Sequence, residues 1–436
     1  MNYETIKPPN DQENNCNYKT LHLNIHSLPA KFDNLKMLIS ELYSKGIEID
    51  FILLCETFLS EYNAHHFKIP GYNFVYQNRY NASRGGVAIY INSKHNYKLR
   101  DDLAVNVSGI FESIFIEVHS DNFKAVVGEI YRVPNTNEVR SISMYENIIT
   151  KLQSYKHDIV IGTDQNFDYI KIDQHQNTQD LLDTFITNGI LPSITKPTRI
   201  THTSATLIDN IYISTKRKPQ IQSAILTVDI SDHLPVITCV GCDTCRNKNK
   251  PKVIKTRHIN ETAKTKIANT LKNIDWEYLE LLDTNDAYVV FSNKLSEIIN
   301  NEVKEKTVVI PASHIIRDPW MTNGLITSSR NLNKLFRKKI NKDKSHPHAM
   351  KYYQYRNIYN NLKRKAKLKL YNETFVKYRH DIRKTWGVIN SLIGRTNDKT
   401  GISETFKINN VPINDPQTIA NEFCNFFYKY WHGICK

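Results

Sequence analysis

Short apolar runs separated by polar turns fill the first 240 residues, and helical periods fill the remainder. The runs predicted as strands are Leu21–Ile25, Asp50–Leu54, Gly86–Ile91, Ser113–Val118, Ala125–Ile130, Asp158–Ile161, Leu207–Ile213, Ser223–Thr227 and Pro235–Val240. Helical spacing appears over Pro29–Ser44, Glu138–Gln153 and Thr178–Asn188. The first of these opens with Pro29 in its first turn and sets Phe32, Leu35, Leu38, Ile39 and Leu42 on one face. Many short strands with interspersed helices predict an α/β fold: a four-layer α/β sandwich, two packed sheets with flanking helices.

Residues 241–258 are polar and Lys-rich with no apolar period, and read as a linker. Helices are predicted beyond it at 260–273, 285–303, 321–340, 347–371 and 374–392, then a β-like piece at Glu404–Ile413 and a helix from Asp415 to about Tyr430. The expected organisation is a flexible N-terminus over 1–18, a sandwich domain over 19–240, the linker, and a mostly α-helical basic region over 259–436. Cys239, Cys242 and Cys245 stand at metal-like spacing with His258 further on. With no second Cys-x-x-Cys pair, structural zinc competes with an ordinary strand end running into a linker.

Charge sharpens this division. The 436 residues carry a formal net charge of +14, yet residues 1–240 hold 22 basic and 26 acidic residues, a net of −4. Residues 330–384 hold 18 basic residues against Asp343, Glu373 and Asp381, a net of +15. That segment implies a polyanionic partner, most simply nucleic acid, with an anionic membrane surface the weaker option. No uncharged apolar stretch of ~18 residues occurs, so no membrane-spanning helix is expected. No secretory h-region is visible and no clear targeting signal occurs, and the seven cysteines are an odd count; an intracellular, reduced protein is expected.

Polar residues recur at the ends of the predicted strands, where a rigid sheet presents functional groups. Asn24 ends the first in LHLNIHSL and Glu56 follows the second in DFILLCETFL. Tyr131 and Arg132 follow AVVGEI, Asp164 and Asn166 follow DIVIGT, Asp209 lies in LIDNIYIS, and Asp232 with His233 in SDHLPVI. Singly each has a bland reading as a turn former or surface group. Jointly they suit metal-assisted phosphodiester hydrolysis: carboxylates for a hard cation, a His–Asp pair to aim an imidazole, and Asn and Tyr as neutral donors to a phosphoryl transition state.

This ordered set resembles the endonuclease/exonuclease/phosphatase superfamily, and within it the apurinic-type endonuclease domain of LINE-type (non-LTR) retrotransposons. The stretches NIHSLPAKFDNL, LLCETFLS, NRYNASRGGVAIYIN, KPTRITHTSATLIDNIYIS and SDHLPV carry the resemblance over about 19–240, and DPWMTNGL, TWGVINSL and DPQTIANEFCNFF extend it weakly. It implies a Mg²⁺ site (Mn²⁺ also possible) with Glu56 as principal ligand, Asn24 beside it and Asp232 near it. Asp164 would orient or deprotonate the attacking water, Asn166 would bond the phosphate, and Tyr131 would contact the phosphate or leaving group. His233 would stabilise the phosphoryl oxygen, oriented by Asp209. The implied activity is nicking of target DNA, within the nucleus, to leave a 3′-hydroxyl that primes reverse transcription. No F/Y-x-D-D polymerase motif occurs, so the chain is expected to be a piece ending before a reverse transcriptase. A cellular abasic-site endonuclease of the same fold and a decayed nucleic-acid-binding remnant are the other readings.

The sequence departs from the family's G-D-F-N pattern: Thr163 separates Gly162 from Asp164, and Gln165 replaces the apolar residue, which bears on the loop geometry. Arg84-Gly85-Gly86 reads as a hairpin turn with Arg84 a candidate DNA contact, and Arg199 and Thr201 lie on a loop resembling a DNA-facing one. Arg132 adjoins the site as another candidate contact. In the basic segment Lys363, Arg364 and Lys365 are the candidate nucleic-acid contacts, with Tyr352, Tyr353, Tyr355, Tyr359 and Tyr371 available for base stacking. Element RNA is the expected partner of 330–384, and its removal is expected to weaken binding while sparing the nicking chemistry.

Overall fold

Alternation along each strand decides the layers. In β2 (Phe51–Cys55), which follows β1 (Cys16–Asn24) and α1 (Leu28–Ser44), the residues Phe51, Leu53 and Cys55 enter one core while Ile52 and Leu54 enter another with Leu35, Leu38, Ile39 and Leu42 of α1. The next strands are β3 (Tyr72–Gln77), β4 (Val87–Asn92), β5 (Asn96–Leu99), β6 (Phe111–His119) and β7 (Lys124–Arg132), followed by α2 (Glu138–Leu152). In β7 and in β8 (Asp158–Asp164), Val127 and Val160 join the first core, whereas Val126, Ile130 and Ile161 pack against α2 and α3 (Gln176–Thr187). The short β9 (Leu191–Pro192), β10 (Arg199–Ile200) and β11 (Ala205–Thr206) precede β12 (Asp209–Ser214), β13 (Ile221–Ile225) and β14 (Val236–Gly241).

Two mixed sheets result, each of six strands, in the orders β13-β14-β1-β2-β4-β3 and β5-β6-β7-β8-β12-β9. Each holds one parallel pair, β1 with β2 and β7 with β8, and otherwise antiparallel neighbours. The first core lies between the sheets, α1 covers one outer face, and α2 and α3 cover the other. This is the four-layer α/β sandwich expected from the sequence. The structure, a computed structural model, describes residues 16–79, 84–120, 123–215, 220–241, 252–257, 260–310, 317–392, 406–408, 411–413, 415 and 417–425.

β3 and β5 had no counterpart in the predicted strands. Both are sheet edges, and β5 leaves three of its four residues exposed, so neither shows the apolar run of a buried strand. The segment read as a linker contains a strand, Lys252–Thr256, paired antiparallel with Lys306–Ile310. Backbone pairing defines it, and Lys252 and Lys255 leave only the two apolar residues Val253 and Ile254 in its sequence, too few for an apolar count. Cys242, Cys245 and His258 of the candidate zinc set lie outside the described residues; Cys239 is in β14.

The later helices run over Glu261–Lys272, Thr284–Glu302, Asn323–Lys339, Pro347–Tyr378 and Ile382–Leu392. Asn260, Asp283 and Thr322 cap the first three through side-chain oxygens. The fourth continues past the predicted stop at 371. Of the last predicted helix, 417–425 is described and helical. Compactness groups the chain into two units, residues 1–371 and 372–436. Within the first unit, Trp320, Met321, Leu325, Leu332, Phe336, Tyr352 and Tyr359 form a further apolar cluster with Leu234, against which Met37, Ile200 and Ile225 pack.

Candidate active site at the ends of the central strands

The parallel starts of the two sheets bring their strand ends to one place. Asn24 ends β1 beside Glu56, the residue after β2, and Asp164 ends β8 directly opposite Asp209 at the start of β12. The Asn24 amide nitrogen donates to Glu56 Oε1 at 2.8 Å and to Asp164 Oδ2 at 2.8 Å, tying the sheets together through one neutral group. The Tyr131 hydroxyl donates to Glu56 Oε1 at 2.9 Å, and His26 Nδ1 lies 3.0 Å from Oε2.

The backbone here is strained and held. His26, Ser27, Glu56, Phe58 and Asn166 have φ of +47°, +86°, +49°, +53° and +52°, a region side chains disfavour. Cross-loop bonds fix it: Ser27 N to Glu56 O at 2.8 Å, Leu28 N to Thr57 O at 2.9 Å, Thr57 N to Gly86 O at 3.1 Å and Phe58 N to Gly85 O at 2.8 Å. Gly86, at φ +90°, has no room for a Cβ, which would meet Thr57 Oγ1 at 2.6 Å. The Gly85-Gly86 pair therefore braces the Glu56 loop, while Arg84 is exposed.

His233 Nδ1 sits 2.9 and 3.0 Å from the two carboxylate oxygens of Asp209, and 4.0 Å from Asp164 Oδ2. Thr198 Oγ1 donates to Asp209 Oδ2 at 2.6 Å. Burial alone would lower the imidazole pKa, but the Asp209 charge and hydrogen bond raise it to about 9. Burial likewise opposes ionisation of Asp209, yet His233 and His22 hold its carboxyl well below the usual range. Asp164 behaves oppositely: burial and then the Asp209 charge push it up to about 7, with His233 and the Asn24 hydrogen bond opposing.

Beneath this layer lies a second one that the sequence reading missed. His22 and Glu129 are fully buried between the sheets, with Nδ1 3.1 Å from Oε2, and His22 Nε2 is 3.6 Å from Asp209 Oδ1. Burial would lower the His22 pKa, but the Glu129 charge and the nearby Asp209 carboxylate raise it to about 10. Period-two alternation was the available signal, because His22 and Asn24, Glu129 and Tyr131, and Gly162 and Asp164 each share a face. Gly162 makes the room: a Cβ there would meet Glu129 Oε2 at 2.4 Å, Leu53 Cδ1 at 2.7 Å and His22 Nδ1 at 3.0 Å. The departure from the G-D-F-N pattern is accommodated, since Thr163 meets the Tyr145 hydroxyl at 3.2 Å and Gln165 Oε1 accepts from Tyr212 at 2.7 Å, both on the helix-covered face.

Other expected site residues are placed differently. Arg132, a candidate DNA contact, is 1 % exposed; it donates to the carbonyls of Asn166 and Thr136 and stacks over Phe167, so its charge is used inside the chain. Asn166 donates its amide to the Arg132 carbonyl at 2.7 Å, which locks the loop below Asp164. Asp232 is bound by Arg199 at 2.8 Å on the half-exposed rim rather than joined to Glu56. Tyr352 and Tyr359 are buried in the apolar cluster and unavailable for base stacking. Lys363 donates to Asn34 of α1 at 2.7 Å, whereas Arg364 and Lys365 are exposed.

The donor set suits a hard divalent cation. Glu56, Asn24, Asp164 and Asp209 offer oxygens, and among the described residues no Lys or Arg pairs with Glu56, Asp164 or Asp209. The mutual repulsion that raises Asp164 is what a cation would relieve.

No protein-family model matches the chain, and neither does any curated protein sequence. Among solved structures, the endonuclease domain of TRAS1, a telomere-specific non-LTR retrotransposon, is similar with a TM-score of 0.41 and 13% identity, covering 52% of this chain and 100% of that one. A mannosyl-6-phosphatase of Bacteroides thetaiotaomicron is similar with a TM-score of 0.39 and 15% identity, covering 51% of this chain and 99% of that one. An endonuclease/exonuclease/phosphatase family protein from Leptotrichia buccalis gives a TM-score of 0.38 and 13% identity, covering 52% and 100%.

Proposed function

We propose that the chain is a metal-dependent phosphodiesterase that nicks DNA, an endonuclease of the non-LTR retroelement kind whose cut leaves a 3′-hydroxyl for target-primed reverse transcription in the nucleus. The observation that carries this reading is the convergence of Glu56, Asn24, Asp164 and Tyr131 with the Asp209–His233 pair at one end of the two sheets. Single strand-end polar residues are common, but a buried carboxylate cluster paired only with histidines, with no Lys or Arg among the described residues, is costly unless it has a use.

Glu56 would hold a Mg²⁺ ion, with Asn24 and Asp164 beside it, and Mn²⁺ would serve in its place. When bound, the ion polarises the scissile phosphate and neutralises charge that develops on it. Asp164, directly opposite Asp209 and bonded to Asn24, is placed to orient a water and take its proton. His233, kept cationic by Asp209, presents Nε2 as a donor to a non-bridging phosphoryl oxygen. Tyr131 is held protonated by burial and by Glu56, and so acts as a neutral donor. Asn166 positions the Asp164 loop through the Arg132 carbonyl. Arg84 is the exposed rim cation that would meet DNA, while Arg199, half-exposed, would do so only in exchange for its pairing with Asp232.

Supercoiled-plasmid nicking tests the reading. The wild-type chain should nick in Mg²⁺ and not in EDTA, and Glu56→Ala and His233→Ala should each lose ~100-fold or more. Nicking by wild type no faster than by either variant would overturn it.

A further inference from the structure

The loop that carries Asp232 and His233, residues 226–235 between β13 and β14, is bonded by elements far away in sequence. On one side Lys31 of α1 donates to the Ile230 carbonyl at 2.6 Å, and Leu234 N donates to the Thr198 carbonyl at 2.8 Å. On the other, the helical segment 317–371 grips it. The Asp229 amide donates to Asn333 Oδ1 at 3.1 Å, Arg356 Nε lies 3.7 Å from Asp229 Oδ2, and Arg337 reaches the Thr227 carbonyl at 3.5 Å. Leu234, which directly follows His233, is 2 % exposed and lies in the apolar cluster of the same helices.

The attachment of that segment to α1 is equally specific. Lys36 meets Asp318 at 2.5 Å, Arg317 donates to Ser40 Oγ at 2.7 Å, Lys363 to Asn34 at 2.7 Å, and Lys367 pairs with Asp33 at 2.6 Å. Several buried apolar side chains with ion pairs at their rim make a fixed seat rather than a loose tether.

We propose that helices Asn323–Lys339 and Pro347–Tyr378, through residues up to Tyr371, form a buttress of the active site, and that Asn333 is a positioning residue acting on His233 through the Asp229 backbone. Only three residues separate Asp229 from His233, so a shift of the first amide moves the imidazole against Asp209. Catalysis depends steeply on such placement. The basic segment is thus a working part of the nuclease unit and not an independent nucleic-acid clamp whose removal spares the chemistry.

This rests on the nuclease reading, and the test separates the two. In the full chain, Asn333→Ala should speed hydrogen exchange at the Asp229 amide by about tenfold, the loss of roughly one hydrogen bond. It should lower kcat for plasmid nicking by about tenfold with KM for DNA unchanged, while Asn333→Asp, which keeps an acceptor, restores most of both. A kcat equal to wild type in Asn333→Ala, with or without faster exchange, overturns the proposal. Should wild type fail to nick, the nuclease reading falls and exchange at Asp229 alone decides: unchanged exchange overturns the buttress and faster exchange supports it.

Discussion

Asp209 and His233 face one another across the junction of β12 and the loop before β14, with Nδ1 within 3.0 Å of both carboxylate oxygens. A buried carboxylate at that distance accepts from Nδ1–H and keeps the imidazole cationic, so that Nε2 carries a proton as well. Asp209→Asn keeps the shape but removes the charge. It is expected to cut nicking by ~10²–10⁴-fold, in line with the worth of a positioned acid–base group and its orienting partner. Plasmid nicking with circular dichroism as a folding control checks this; a loss under fivefold would reduce Asp209 to a packing role.

Removing Glu129 leaves the buried His22 charge facing only the Asp209 carboxylate at 3.6 Å, so Glu129→Ala should destabilise by ~3–5 kcal/mol, whereas replacing both partners by apolar residues, as in His22→Leu with Glu129→Met, should recover much of it. The pH dependence has a definite sign. The folded pKa of His22 is about 10 against an ordinary 6.5, so its contribution is full below 6.5 and is lost as pH rises through about 10. Urea denaturation between pH 6 and pH 10.5 should show a larger loss in wild type than in the double variant, where His233, at about 9, still contributes its own.

Gly162→Ala asks whether the space above the pair is spoken for. The new methyl would strike Glu129, Leu53 and His22, two of which are fixed by their own bond, so it cannot be relieved by a flexible tip. A destabilisation of ~1–3 kcal/mol is expected, with nicking impaired because Asp164 lies two residues on. Calorimetry and plasmid nicking are the measurements; a neutral effect on both would contradict the geometry.

The layers and the upper site were legible because strands buried on both faces read as apolar runs and because functional groups stood where those runs ended. Asn24, Glu56, Asp164, Asp209 and His233 could all be picked out this way, and all meet. What was hidden shares a cause: its meaning depends on partners distant in sequence. His22 and Glu129 are charged groups inside apolar strands, meaningful only once β1 faces β7. Arg132 looks like a rim cation until Asn166 and Thr136 are seen to take its donors. The seating of 317–371 on α1 rests on pairs such as Lys36–Asp318, which no local period announces.

Asp50 anchors the start of β2, accepting from Lys19 N at 2.8 Å while His95 and Lys94 lie 2.8 and 2.7 Å away. Burial opposes its charge, but the His95 bond and Lys94 hold its pKa below the ordinary carboxylate value. Its stabilisation is therefore present above pH ~4 and lost as pH falls through the depressed value. Denaturation from pH 7 to pH 3 should show a decline in wild type that is smaller in Asp50→Asn. Parallel curves would rule out Asp50 as a source of acid sensitivity.

The basic helix presents two kinds of cation, and they should separate on substitution. Arg364 and Lys365 are exposed, so they are free to meet phosphate, whereas Lys363 is half-buried on Asn34 and lies over the Tyr359 ring. Burial also lowers the Lys363 pKa, which marks it as part of the seat on α1. Replacing Arg364 and Lys365 together with Ala should weaken binding to single-stranded RNA and flatten the slope of log K against log salt by about 1.4, with the melting temperature unchanged. Lys363→Ala should do the reverse, leaving the salt slope nearly intact and costing ~1 kcal/mol of stability. If the exposed pair changes neither affinity nor slope, this face of the helix does not hold RNA; if Lys363→Ala flattens the slope as much as the pair does, its seat on α1 opens in solution.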